Sequence, residues 1–278
     1  VDKMTYAANP NNIKTKVTLI QKDICEVTVE DLGEYDFLVH FAAESHVDNS
    51  IKDGRPFVRT NVEGTFNLLE CARQNPNLRK FIHISTDEVY GDMDDISKDV
   101  LADEEFPLVA SSYYSATKAS SDMLVLSANR TFDLPYIITR TCNNYGAHQH
   151  KEKFIPTIMR SIKEGKKIPV YGDGKQVREW MDVTDNTLVI YNLMMSDRIN
   201  EVFNIGSEER YTNLEVIEMI GNIMGKTPEF EFVADRLGHD RRYALNSSKV
   251  NAILGEMIPL SFEEFLKEET IKLLETQL

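Results

Sequence analysis

Short apolar runs recur along the first half of the chain, with helix-spaced segments between them. Val17-Thr18-Leu19-Ile20, Phe37-Leu38-Val39-His40-Phe41-Ala42, Lys80-Phe81-Ile82-His83-Ile84-Ser85 and Tyr136-Ile137-Ile138-Thr139-Arg140 lack a strict polar alternation, the pattern of strands covered on both faces. Between the second and third runs, Val58, Val62, Phe66 and Leu69 return at helical spacing, and Asn75-Pro76-Asn77 marks a stop. Strands alternating with helices predict an α/β fold: a doubly wound parallel sheet with right-handed crossovers. Near residue 145 the texture changes to mixed helices, loops and Gly turns such as Tyr171-Gly172-Asp173-Gly174, which predicts a smaller mixed α/β domain over 146–278 after a first domain over 1–145. Ser261-Phe262-Glu263-Glu264 has the form of a capping box and predicts a helix with Phe262, Phe265, Leu266 and Leu273 on its apolar side.

Composition narrows the function. The 278 residues are 42% hydrophobic and carry a formal net charge of -14, so nucleic acid or an anionic membrane surface would be approached against repulsion. A small-molecule substrate fits better. Cys25, Cys71 and Cys142 lie far apart without a C-x-x-C pair, which predicts no disulfide framework and no zinc site, and suits a reducing, cytoplasmic setting. His148 and His150 lack a third ligand nearby, and His46 and Asp48 lack a nucleophile elbow, so neither a metal nor a hydrolytic triad is expected.

Two stretches carry chemistry. Tyr114-Ser115-Ala116-Thr117-Lys118 sets a phenol and an ammonium one helical turn apart. A neighbouring cation favours the phenolate and would bring it toward use as a base. Thr86-Asp87-Glu88 ends an apolar run at the carboxyl edge of the predicted sheet, where open α/β sheets bind ligands. Each also has a plain reading: a surface Tyr and Lys on a helix, and a capped turn.

These motifs and their flanks resemble the extended short-chain dehydrogenase/reductase superfamily and, within it, the dTDP-glucose 4,6-dehydratases. The resemblance runs over nearly the whole chain through HFAAESHVDNSI at 40–51, TNVEGT at 60–65, ISTDEVYG at 84–91, YSATKASSD at 114–122, TCNNYG at 141–146, PVYGDGKQVREW at 169–180 and DRLGHDRRYA at 235–244. It implies a Rossmann-type NAD domain, with part of 176–203 returning to it, and a nucleotide-sugar domain. The implied reaction oxidises dTDP-glucose at carbon 4, eliminates water across carbons 5 and 6, and returns the hydride to carbon 6. By resemblance, Glu88 is the base at carbon 5, Asp87 the acid at the carbon 6 hydroxyl, and Thr86 a hydrogen-bond partner of the carbon 4 oxygen. Tyr114 would take the carbon 4 hydroxyl proton, with Lys118 lowering the phenol's pKa and holding the nicotinamide ribose. Asp2, Lys3, Thr5, Asp23, Ile24, Ala42, Ala43, Glu44, Ser45, Thr60 and Asn144 match cofactor positions. Ser45, Asn143, Lys153, Phe154, Pro169, Val170, Tyr171, Arg178, Asn213, Asp235, Arg236, Gly238 and His239 match substrate positions. Arg178 with Arg241 or Arg236 would supply guanidinium forks for the diphosphate. A homodimer packed through helices, one of them carrying Tyr114 and Lys118, is also implied.

The chain departs from the pattern in places. None of its thirteen glycines forms a G-x-G-x-x-G turn, and Asp2 matches the acidic residue that follows those glycines by roughly 20 positions. The expectation is therefore that about 30 residues, one strand-turn-helix unit, precede Val1. Leu237, Tyr113, Asn246 and Ala147 replace residues usual in the family. Two rival readings stay open: another sugar-nucleotide dehydratase or epimerase, and a catalytically silent relative without NAD.

Overall fold

The computed structural model describes residues 1–255 and 261–275, with side chains as far as Glu269. The chain forms two compact units. The first comprises Val1–Gly91, Pro107–Arg140 and Ile190–Phe203, and the second Asp92–Phe106, Thr141–Val189 and the chain from Asn204 onward.

The first unit is built on β1 (Phe37–His40), β2 (Lys80–Thr86) and β3 (Tyr136–Thr141). With a strand at Glu201–Ile205, labelled β7 in chain order, they make a four-stranded sheet in the order β1-β2-β3-β7. β1 and β2 run parallel, with Phe37 opposite Lys80 and His40 opposite His83. Around the sheet lie α1 (Val29–Leu32), α2 (Val47–Lys52), α3 (Arg55–Phe57), α4 (Thr65–Ala72) and the twenty-residue α5 (Tyr113–Phe132). Ile24, Leu68, Leu69, Phe81, Val125, Leu134 and Ile138 form the core between helices and sheet. β2 and β3 are buried along almost their whole lengths, as expected of inner strands of a parallel sheet.

Three expectations need correction. Val17–Ile20 is not a strand: among the described residues its only ladder contact is a parallel bridge of Gln21 to Asp2, closed by Asp2 N–H to Ile20 O at 3.0 Å and Lys22 N–H to Asp2 O at 3.1 Å. With pairing limited to that bridge, Val17 and Leu19 stay exposed. β1 is only half-buried over Phe37–Val39, because among the described residues it is a sheet edge. Val58, Val62, Phe66 and Leu69 do not share one buried face. Val58–Gly64 is wound as a π-helix between α3 and α4, and its wider turn rotates the stripe, leaving Val58 and Phe66 exposed while Leu68 and Leu69 are buried.

The second unit contains β4 (Asn143–Tyr145), β5 (Ile168–Tyr171), β6 (Val177–Asp182), β8 (Arg210–Thr212) and β9 (Phe230–Val233), with α6 (Phe154–Glu164), the part of α7 (Val183–Met195) that precedes Ile190, α8 (Asn213–Ile223), α9 (Ser248–Leu254) and α10 (Phe262–Glu275). β4, β6 and β8 form one sheet and β5 with β9 another. The capping box at Ser261 is present: Glu264 N–H donates to Ser261 Oγ at 3.2 Å, and Ser261 Oγ donates to the Glu264 carboxylate at 3.1 Å. Phe262 is fully buried, stacked on Trp180 at 5.5 Å and on Tyr211 at 5.4 Å, and Phe265 and Leu266 are buried beside it. The Leu273 side chain lies outside the described residues. Among the described residues no helix is long and apolar enough to cross a membrane.

Candidate active site

β2 ends at Thr86 and passes directly into a 3-10 turn, Asp87–Tyr90. Thr86 Oγ1 accepts the Glu88 N–H at 3.3 Å and donates to Asp87 Oδ1 at 3.2 Å. Thr86 and Asp87 are buried and Glu88 is half-buried. The triplet therefore caps its turn and also gathers a hydroxyl and two carboxyls in unlike surroundings. The turn closes through Gly91 at φ +75, where an added Cβ would meet Val109 O at 1.8 Å. Only glycine fits there.

α5 begins at a reciprocal cap between Ser112 and Ser115, which starts the helix one residue before Tyr114. The Tyr114 ring meets Phe57 edge-on at 6.4 Å. Burial and the Glu88 charge push its phenol far above the ordinary value; a hydrogen bond with the Thr86 side chain works the other way, and Asp87 adds to the rise. Tyr114 and the Thr-Asp-Glu triplet thus face one another.

Lys118, one turn along α5, is buried, and its ammonium donates to Ile84 O at 2.6 Å. Burial pulls its pKa down to about 8, with Asp122 opposing the fall. The ammonium is turned to the β2 backbone, and carboxylates dominate the phenol's surroundings. Beneath Lys118, Asp122 is fully buried, accepts from Arg140 Nε at 3.0 Å and lies 3.4 Å from His83 Nε2.

A cavity of about 700 Å3 opens in the same unit. Asp2, Lys3, Thr5, Asp23, Ile24, Ala42, Ala43, Glu44 and Thr60 line it; Ser45, Tyr114, Lys118 and Asn144 do not. Asp23 accepts from Lys3 Nζ at 2.7 Å and from the Cys25 N–H at 3.0 Å. Burial opposes its ionisation, but these donors outweigh it and bring the carboxyl to about 2. The backbone after β1 is held by Asn61, whose side chain accepts the Glu44 N–H at 2.8 Å and donates to Glu44 O and Thr117 Oγ1 at 3.0 Å. Asn61 lies inside the TNVEGT motif but had not been singled out as a site residue. Its neighbours Arg59, Thr60 and Glu63 are polar too, so nothing in the local sequence marks Asn61 as the buried one.

In the second unit, Phe154 stacks on Trp180 at 6.1 Å, and Lys153 is the N-cap residue of α6. Asn143 sits in β4 opposite Trp180, and Asn144 Nδ2 donates to Cys142 O at 2.9 Å. Pro169, Val170 and Tyr171 lie along β5, where Tyr171 meets His239 edge-on at 6.3 Å. His239 Nδ1 lies 2.6 Å from Asp235 Oδ1, and burial and the Arg236 charge hold the ring down to about 4, so it is neutral at pH 7. Asn213 donates to Gln176 Oε1 at 3.3 Å. Gly238 adopts φ +62 in the loop between Asp235 and His239. Arg178 packs over Tyr243 at 4.3 Å and donates to Val177 O and Asp240 O at 2.8 Å. Arg241 donates through its two terminal nitrogens to the Asp173 carboxylate at 2.7 and 3.1 Å.

Residues 1–206 match the NAD dependent epimerase/dehydratase family. The chain belongs to that family. It is similar to the low-salt glycan biosynthesis protein Agl12 of Haloferax volcanii, 44% identical over 96% of this chain and 87% of that protein. It is also similar to the dTDP-glucose 4,6-dehydratase of Haemophilus influenzae, 40% identical over 98% of this chain and 88% of the relative. Among solved structures, DesIV, a dTDP-glucose 4,6-dehydratase from Streptomyces venezuelae with NAD and TYD bound, matches with a TM-score of 0.93 at 37% identity, covering 99% of this chain and 87% of DesIV. Family membership gives the cavity beside β1 its chemical meaning. The Asp23 carboxylate, held ionised, and the Ala42–Glu44 backbone are groups of the kind that grip a dinucleotide.

Proposed function

We propose that the protein is an NAD-dependent hydro-lyase that converts dTDP-glucose to dTDP-4-keto-6-deoxyglucose. The observation that carries the reading is the cluster of Thr86, Asp87, Glu88 and the Tyr114 phenol at the end of β2. When bound, NAD accepts a hydride from the sugar, returns it later, and adds a positive ring charge to the site. Asp23 and the Ala42–Glu44 backbone would hold it.

Thr86 hydrogen-bonds the carbon 4 oxygen while Tyr114 takes its proton. The phenol is held neutral by burial and the neighbouring carboxylates, so added positive charge is what brings it within reach of a base. Glu88 then removes the proton on carbon 5, made acidic by the adjacent ketone. Asp87 protonates the departing hydroxyl on carbon 6. Asp87 is 3% exposed while Glu88 is half-buried, and unlike surroundings are the condition under which neighbouring carboxyls split into acid and base. In the second unit, Arg178, Lys153 and Asn213 with the Asp235–His239 loop would take the nucleotide. The relatives' names support dTDP over UDP or GDP.

We read the protein as a cytoplasmic homodimer: Phe66, Tyr113 and Met123 are more than half exposed on α4 and α5, an apolar surface a second copy would cover. Light scattering tests that reading, and a monomer at micromolar concentration would refute it. The function is tested by incubating the purified protein with NAD and, in turn, dTDP-, UDP- and GDP-glucose, and following loss of one water by mass spectrometry. Dehydration of dTDP-glucose is expected; turnover of only another nucleotide sugar, or epimerisation without water loss, would overturn it.

A further inference from the structure

Tyr114, Lys118 and Asp122 stand at four-residue intervals on α5, so they rise along one face of the helix. Only the first two have a role in the reaction proposed above. Asp122 is fully buried, and a carboxylate is rarely left in such a place without a partner. Its carboxylate accepts from Arg140 Nε of β3 at 3.0 Å and lies 3.4 Å from His83 Nε2 of β2, with the Ser85 hydroxyl beside it. Arg140 is anchored on its far side, where it donates to Tyr90 Oη at 2.9 Å and lies over the Tyr90 ring at 5.0 Å. His40 of β1 packs against His83 with ring centres 5.3 Å apart.

The charges in this buried cluster do not cancel. Burial holds His83 neutral, down to about 4, and His40 is likewise pushed well below its usual value. Two buried cations, Lys118 and Arg140, therefore share one buried anion, Asp122. Arg140 is cationic at any working pH, so the group whose protonation depends on Asp122 is Lys118.

We propose that Asp122 is a positioning residue for Lys118: one helical turn along α5 and anchored by Arg140, its buried carboxylate keeps charged the ammonium that donates to the Ile84 carbonyl. This rests on the catalytic reading above for its kinetic consequence but not for its chemistry. Lys118 must carry its proton to act, and its pKa of about 8 already lies below the ordinary lysine value. Loss of the anion lowers it further, so activity disappears at a lower pH than in the unsubstituted enzyme.

The test uses Asp122→Asn and the double variant Asp122→Asn/Arg140→Gln, the second removing both charges so that no buried Arg is left alone. The Lys118 Cε resonance, assigned by its disappearance in Lys118→Met, is titrated by NMR in each, and kcat for dTDP-glucose is measured against pH. The expected result is a fall of roughly one pH unit or more in the Lys118 titration. The alkaline limb of kcat should move with it, kcat at pH 8 should drop at least about fivefold, and KM should stay within about twofold. A Lys118 titration in the folded double variant that coincides with the unsubstituted protein overturns the proposal. So does failure of both variants to fold by circular dichroism, which would make Asp122 purely structural. If the unsubstituted protein does not dehydrate dTDP-glucose, the catalytic reading falls while the Lys118 titration still decides the role of Asp122.

Discussion

Glu88→Gln separates the two halves of the proposed chemistry. The Glu88 backbone N–H makes the cap with Thr86 Oγ1, and the isosteric amide keeps that N–H and the side chain's shape, so the turn is expected to survive the substitution. Loss of a positioned general base costs about 100- to 10,000-fold, equivalent to about 3–5 kcal/mol in the barrier for carbon 5 proton removal. The Tyr114 phenol moves in the other direction. Glu88 is the largest charge acting on it and holds its pKa up, so removing that charge brings the phenol down and makes it a better base for the carbon 4 hydroxyl. The variant should therefore reduce bound nicotinamide as readily as the parent enzyme, seen as a single-turnover absorbance rise on adding dTDP-glucose. Incorporation of solvent deuterium at carbon 5 should fall at least 100-fold. Exchange at the parent rate would remove Glu88 from the base role, and joint loss of both signals would show that the substitution damages the oxidation step.

Three further outcomes follow from particular contacts. Gly91→Ala should unfold the protein or cost at least about 2 kcal/mol in thermal or urea melts, because φ +75 is strained for alanine and its Cβ would collide with Val109 O. Phe262→Ala removes a fully buried ring stacked on Trp180 and Tyr211 and should cost about 3–5 kcal/mol in urea unfolding, with Trp180 fluorescence reporting the change. Asp23→Asn should cost about 1–2 kcal/mol at pH 7. Since the folded carboxyl sits at about 2, below its unfolded value near 3.8, that stabilisation is present above the unfolded value and disappears as pH falls toward 2, so melts of the two proteins should converge across that interval.

What could be read from the sequence follows from what is local. The apolar runs at 80–85 and 136–140 became β2 and β3 because each is flanked on both sides by paired strands, so continuous hydrophobicity had somewhere to go. The run at 17–20 is similarly apolar and did not become a strand, since strand formation is decided by partners, and among the described residues its only partner is Asp2. The stripe from Val58 to Leu69 failed for a related reason. A period of 3.6 assumes an α-helix throughout, and the π-helical stretch at Val58–Gly64 breaks that assumption with no Pro or Gly inside it before Gly64.

The candidate site divides along the same line. Residues adjacent in sequence, such as Thr86, Asp87 and Glu88, were bound to share a turn, and the cap and the carboxyl pair turned out to be one arrangement rather than rival readings. The i, i+4 spacing of Tyr114 and Lys118 correctly put both side chains on one face of α5, but spacing says nothing about what the opposite strand offers. The Ile84 carbonyl comes from the neighbouring strand and accepts from the ammonium, a partner that spacing along α5 does not reveal. The phenol is left among carboxylates, which raise its pKa. In this structure burial and the neighbouring carboxylates hold the phenol neutral, and the dinucleotide that the family binds is a group suited to bring opposing positive charge.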